Sequence, residues 1–268
     1  MSVNRGLYCA ASAMLVQESM HDVVANNLAN VSTAGFRGRI PVNKTFPDLL
    51  MDRIENIPVT PGATTGPNQI RYRGKIPIGN LALANVFSED TMTLKQGAMH
   101  VTDAPLDAAI VGDGFFVVQD GAGNTFYTRS GQFQINQEGQ LLTHDGLIVQ
   151  GEGGPIEIGE AASVSINSEG QVLVDGEVAD TLQVVTFETP TWLKQIGGSL
   201  LAANEQSGNP VPVEMPSLVS RTLEQSNVDV VSEMSRMIEA SRAYEAASKA
   251  LMTHDDETGR LISSFMKS

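Results

Sequence analysis

The sequence predicts an α+β protein: long N- and C-terminal helices that pair as a coiled coil, a central all-β domain, and an extended connector between the first helix and the strands. Three observations predict it. Apolar residues recur at helical spacing at both ends of the chain, short alternating or wholly apolar runs fill the middle, and a proline-rich stretch of different character lies between. At 268 residues with 41% hydrophobic content, the chain can bury a real core. The expected domains are 1–36 (N-terminal helix of the coiled-coil core), 37–79 (extended irregular connector), 80–215 (β-rich outer domain) and 216–268 (C-terminal helix of the core).

From residue 3 to about 31, Leu7, Ala11, Met14, Leu15, Val24, Leu28 and Val31 trace one helical stripe. This helix ends in VVANNLANVSTAGFRG, with Asn26, Asn27 and Asn30 inside five positions. Asparagine competes for nearby backbone groups and weakens helix interiors. A C-terminal cap needs one such residue, not three.

Residues 37–79 carry recurrent Pro, Gly and Thr, which predicts an irregular or partly extended connector. Loops of that length are usually functional or ordered by a partner. Arg71, Arg73 and Lys75 form a basic cluster here, suited to an acidic surface on another subunit or simply to water.

Between about 80 and 215, runs such as FFVVQDGAGNTFYTRSGQF and VSINSEGQVLVDGEV read as strands with turns. Asp-Gly recurs at 113–114, 120–121, 145–146 and 175–176, a frequent hairpin device. INQEGQLL (135–142) returns as INSEGQVL (166–173), a weak internal repeat.

From Val228 to Phe265 a second stripe runs through Val231, Met234, Ile238, Ser241, Tyr244, Ser248, Leu251, Met252, Leu261, Ile262 and Phe265. Opposite charges sit at helical spacing on its polar face, as in Glu233/Arg236 and Glu239/Arg242. With Ser226 or Asn227 as N-cap, this predicts a helix of about 35 residues, roughly 50 Å long. Long helices with narrow stripes are marginal in water until another helix covers them. The two ends are therefore expected to pair, and to bury the remainder of their apolar surface on neighbouring molecules; packing on the chain's own sheet is the alternative.

Charge and chemistry narrow the function. The formal net charge is −14, and residues 101–220 hold 16 acidic and two basic residues (Arg129 and Lys194), which accounts for all of it. An acidic middle argues against nucleic-acid binding. Neutral ends suit packing against copies, although a solvated acidic domain explains the middle equally well. No apolar stretch approaches the roughly 18 residues of a membrane span, so no direct membrane insertion is expected. The N-terminus does not read as a cleavable signal, so any export needs another route. Cys9 is the single cysteine, and the four histidines are scattered without ligand spacing. No nucleophile elbow, phosphate loop or EF-hand is present. The expectation is no enzyme, no cofactor and no metal.

The two ends carry a resemblance. GLYCAASAMLVQESMHDVVANNLANVSTAGFRG resembles the N-terminal signature of bacterial flagellar rod and hook proteins, a helix ending in ANNLAN-x-x-T-x-G-[FY]. EQSNVDVVSEMSRMIEASRAYEAASKAL resembles that family's C-terminal segment, E-x-SNV followed by M-I-x-x-x-R-x-[FY]-E. DGFFVV, YTRSGQF and GQL resemble the β-domain of its rod members, and hook proteins are longer. FPDLL and IPIG look like the distal rod type; AMLVQ and MSRMIEASRAYE lean to the proximal one.

The resemblance implies a subunit of the basal-body rod in the cell envelope, spanning the periplasm. It implies export through the flagellar type III apparatus and helical homo-polymerisation around a channel, in contact with adjacent rod and hook proteins. The terminal helices would form an inner tube with the β-domain outside. It also implies assembly roles for Asn26, Asn27, Leu28, Asn30, Thr33, Gly35 and Phe36, and for Ser226, Asn227, Val228, Met237, Ile238, Arg242 and Tyr244. The asparagines would satisfy backbone groups or bond to adjacent subunits, Thr33 and Gly35 would turn the chain, and Phe36 would anchor it. The alternative function is a secreted β-domain binding module oligomerised through a terminal coiled coil.

Overall fold

The computed structural model describes residues 3–45, 49–58, 71–81, 85–159 and 163–266. The chain is α+β: helix α1 (Val3–Ala29), a series of antiparallel strands, and helix α2 (Val230–Phe265, 36 residues). It divides into two compact units.

One unit comprises Met1–Met20, Val42–Glu89 and Glu239–Ser268. Its strands Leu49–Pro58 and Arg71–Leu81 form a long antiparallel pair, Leu49 opposite Leu81 and Pro58 opposite Arg71. Of the irregular or partly extended connector expected over 37–79, these two stretches are extended and paired. The prolines are tolerated because a two-stranded sheet leaves both edges open, where a missing N–H costs no ladder bond. Pro58 ends its strand, and Pro77 lies opposite Asp52 at a register shift. Arg71, Arg73 and Lys75 open the second strand, and residues 46–48 and 59–70 of the expected connector lie outside the described residues. In the same unit, α1 and α2 approach closely: a Cβ on Gly6 would sit 2.5 Å from His254 Nε2.

The other unit comprises His21–Pro41 and Asp90–Ile238. Its main sheet runs through Lys194–Gly197, Leu200–Ala202, Thr125–Thr128, Phe115–Gln119, Ile148–Gly151, Leu141–Thr143 and Phe133–Ile135, neighbours antiparallel. Both faces are covered. Phe116 and Val118 point into one core with Leu141, Val149 and Ile156. Phe115 and Val117 point into another with Tyr127, Phe187 and Leu193. A strand buried on both faces reads as FFVV rather than as an alternation. The sequence repeat is a repeat of hydrogen bonds. Asn136 Oδ1 accepts from Glu138 N and Gln140 N, and Asn167 Oδ1 accepts from Glu169 N and Gln171 N. Each turn closes with a glycine at positive φ, Gly139 at +76° and Gly170 at +82°. A third copy, with Asp120 in the asparagine's place, accepts from Ala122 N and Asn124 N.

Strands continue to Thr222–Glu224, so the C-terminal helical region begins at Val230 rather than at 216. Asp229, not Ser226 or Asn227, caps α2, its carboxylate accepting from Val231 N and Ser232 N. Asn227 is diverted because its amide is engaged elsewhere.

Candidate assembly site

The asparagine-rich exit of α1 is a clasp in the second unit. Asn27 is 2% exposed and treats Arg39 as a strand neighbour would: its Oδ1 accepts from Arg39 N at 2.9 Å and its Nδ2 donates to Arg39 O at 2.8 Å. The same amide nitrogen donates to Glu233 Oε2, on the first turns of α2, at 3.2 Å. Glu233 also accepts from Arg236 at 2.6 Å. One side chain thus ties the end of α1 to the start of α2 and to the strand that follows.

Asn30 acts locally, donating to Asn26 O at 2.9 Å and accepting from Thr33 Oγ1 at 3.2 Å. Gly35 turns the chain at φ +69°, and its N–H donates to Glu224 O at 2.7 Å. A Cβ there would lie 2.3 Å from Ser130 N, so only glycine fits. Phe36 is buried beside it. Asn227 completes the clasp, accepting from Gly38 N at 2.7 Å and donating to the carbonyls of Thr93 (3.1 Å) and Lys95 (2.7 Å). Val228 packs on Gly38, and Ser226 accepts from Val228 N.

Beneath the clasp lies a buried charge cluster that spacing alone does not reveal. Glu224 Oε2 accepts from Arg129 Nε at 2.7 Å, and Oε1 from Arg37 Nη2 at 2.9 Å and from Gly97 N at 2.9 Å. All three charged side chains are at least nine-tenths buried. Arg129 further donates to the carbonyls of Ile110, Gly112 and Gly114, and Arg37 to those of Leu94 and Lys95. Burial pulls the Arg37 guanidinium below the usual arginine range, with Glu224 acting against the shift. A signal was present in the sequence: Arg129 is one of only two basic residues in the acidic 101–220 stretch.

The remaining candidate residues lie on α2, which has two dissimilar faces. Glu233 and Ala240 are buried, and Met237, Ala243, Ala247, Leu251 and His254 are half-buried at steps of three and four. Val231, Met234, Ile238, Tyr244 and Met252 are exposed, Val231 by 72% and Ile238 by 54%. Arg242 is exposed as well, and Tyr8 and Leu15 are open on α1. The structure therefore gathers Asn27, Gly35, Phe36, Ser226, Asn227 and Val228 into the clasp. It leaves Asn26, Ile238, Arg242 and Tyr244 on the surface, with Leu28, Asn30 and Thr33 half-buried.

Comparison with known proteins adds three family matches. Residues 7–37 match the family described as flagella basal body rod protein, 109–174 the flagellar hook protein FlgE/F/G D1 domain, and 219–264 the flagellar basal body rod FlgEFG protein C-terminal. The chain is 33% identical to flagellar basal-body rod protein FlgG of Caulobacter vibrioides, over 94% of this chain and 95% of that protein. It is 34% identical to FlgG of Bacillus subtilis, over 96% and 98%. It is 30% identical to flagellar basal-body rod protein FlgF of Escherichia coli, over 96% and 97%.

Proposed function

The chain belongs to the flagellar basal-body rod protein family, and we propose that it is a structural subunit of the rod, polymerising helically into a hollow, torque-transmitting shaft. The observation that carries this reading is end-to-end similarity to proteins named for the rod, 94–96% of the chain in the three comparisons described. The open apolar face of α2 supports it physically. Side chains such as Val231 and Ile238, 72% and 54% exposed, each stand to gain roughly half to three-quarters of the about 1.5–3 kcal/mol of full burial, and in this reading the cover is another copy.

In this reading α1 and α2 pair as an antiparallel coiled coil. Two close approaches support the pairing: Gly6 with His254, and Asn27 with Glu233. They lie 21 residues apart on both helices, as antiparallel pairing without slippage requires. The clasp residues act within the subunit, and Asn26, Ile238, Arg242 and Tyr244 make contacts between subunits. The acidic β-rich unit faces outward, where its charge keeps unassembled chains soluble. Partners are further copies, the adjacent rod and hook proteins, and the flagellar type III export apparatus. The reading assigns no catalytic step to the chain, and no observation favours the binding-module alternative.

The test is deletion of the coding sequence in its own bacterium, with electron cryotomography of the basal bodies. The expected result is a truncated rod without a hook, restored by the intact chain. Complete basal bodies and normal swimming in the deletion strain would refute it.

A further inference from the structure

The buried charge cluster is not a symmetric trio. All three residues belong to one compact unit, and Arg129 and Glu224 lie within its strand framework, at the ends of strands Thr125–Thr128 and Thr222–Glu224. Arg129 fills a ring of three carbonyls, Ile110, Gly112 and Gly114, that shapes the turn between Ala108–Ile110 and Phe115–Gln119. Removing Arg129 takes that donor from the Gly112 and Gly114 oxygens, while Ile110 O keeps Gln96 Nε2 at 2.9 Å. Arg37 instead belongs to the short segment between α1 and the first strand. Without it, Glu224 keeps Arg129 on one oxygen and Gly97 N on the other, a neutral and satisfied pair. With it, the cluster carries one buried positive charge in excess, offset only by the carbonyls of Leu94 and Lys95 and by Asp113 nearby. Desolvating a second guanidinium consumes most of what its new bonds return.

From this asymmetry we propose that Arg37 is the pin of a strap: the strand framework of residues 90–229 folds around Arg129 and Glu224 first, and segment 35–38 seats on it in a second, separable step. The seat is built from distant parts of the chain. Gly35 N bonds Glu224 O, a Cβ on Gly35 would strike Ser130 N, Arg37 meets Leu94, Lys95 and Glu224, and Gly38 N bonds Asn227. Each of the three family matches contributes one member of the cluster: Arg37, Arg129 and Glu224 in turn. The root of α1 therefore cannot seat until residues 224–227, close to the far end of the chain, are in place. On the rod reading, this makes α1 docking a check that the chain through residue 227 has arrived and its strands have folded before α1 is offered to the polymer.

The test is hydrogen exchange on the isolated full chain, which does not depend on the rod reading. In Arg37→Met, amides of 31–39 should exchange about ten- to a hundredfold faster, the loss expected for a buried charged hydrogen bond. Amides of Phe115–Gln119 and Thr125–Thr128 should keep their wild-type rates. Arg37→Lys, which still reaches Glu224 with one charge, should recover most of the protection. Parallel acceleration of 115–128 would overturn the proposal, as would unchanged protection of 31–39. An Arg129→Met chain that loses protection only in 31–39 would overturn it too.

Discussion

Asn27→Ala should destabilise the β-rich unit by about 2–4 kcal/mol. The magnitude follows from what the substitution leaves behind. Arg39 is 9% exposed, and its backbone N–H and C=O both take their bonds from the Asn27 amide. Alanine leaves both groups buried and unpaired, at about 1–3 kcal/mol each, less whatever water recovers. Glu233 loses a donor and keeps Arg236. The assay is urea unfolding of the full chain followed by tryptophan fluorescence. Trp192 is the single tryptophan and lies in the same unit, one residue from Leu193, whose carbonyl accepts from the Arg39 guanidinium. Asn27→Asp sharpens the test. It retains an acceptor for Arg39 N but loses both donations, and it sets a second carboxylate about 3 Å from Glu233. The new acid's folded-state pKa is then raised above its unfolded value near 3.9. Its penalty is complete above the folded pKa and fades as pH falls through it. Asn27→Asp should thus be worse than Asn27→Ala at pH 7, and the gap should narrow on acidification. A loss below about 0.5 kcal/mol for Asn27→Ala, or equal stability of the two variants at pH 7, would refute the clasp.

Gly35→Ala combines positive φ with a Cβ 2.3 Å from Ser130 N, so a loss of about 2–4 kcal/mol is expected in the same urea assay. Asn136→Ala should cost roughly 1–2 kcal/mol, whereas Asn136→Asp should be nearly neutral, because Asp120 already fills the equivalent place in its own turn; thermal unfolding would compare them. Asp229 is held below the ordinary aspartate range by Ser232 and the amides it caps. That stabilisation is complete above its unfolded pKa and is lost as pH falls through the lowered folded value, so exchange of the 230–233 amides should accelerate only in that acidic window. Ile238→Glu, on the open face, should leave monomer stability within about 0.5 kcal/mol and abolish filament growth, whereas Ala240→Glu, on the closed face, should destabilise the monomer itself.

The helices were legible because their apolar residues keep helical spacing, but the face that α2 turns to its own chain was not: the stripe through Val231, Met234 and Ile238 is exposed, and Glu233, expected on the polar face, is buried. The strands were legible where turn residues bracketed short apolar runs. Two features stayed out of reach for identifiable reasons. Prolines over 37–79 left irregular and extended chain both open, because their cost inside a ladder is well defined while their freedom at the edges of a two-stranded sheet depends on pairing that the sequence does not display. Asn227 looked like a helix cap, because its preference for free backbone groups is the same whether those groups belong to α2 or to residues 38, 93 and 95. Within the clasp, the three asparagines raised the right question, but their answers differ: Asn27 bridges to Arg39 and Glu233, while Asn30 and Asn26 bond each other. The Arg37–Glu224–Arg129 cluster left only an indirect trace, since no spacing rule links ion-pair partners 95 and 187 positions apart.

The two faces of α2 both carry apolar residues, which a self-sufficient helix does not require. Toward its own chain it turns Glu233, His254, alanines, Met237 and Leu251; toward water it leaves Val231, Met234, Ile238 and Tyr244. For a monomer this wastes apolar area and asks a buried carboxylate to find donors, which Asn27 and Arg236 supply. For a subunit the same arrangement separates two tasks. The inward face is geometrically specific at Glu233, whose hydrogen bond from Asn27 holds the start of α2 at one fixed position against the end of α1. The outward face is greasy and adaptable, and it gains its energy only on contact with a neighbour. A directional clasp under a non-directional adhesive fixes where the adhesive points before anything adheres to it. That ordering is what a polymer with one helical symmetry demands of each subunit it accepts.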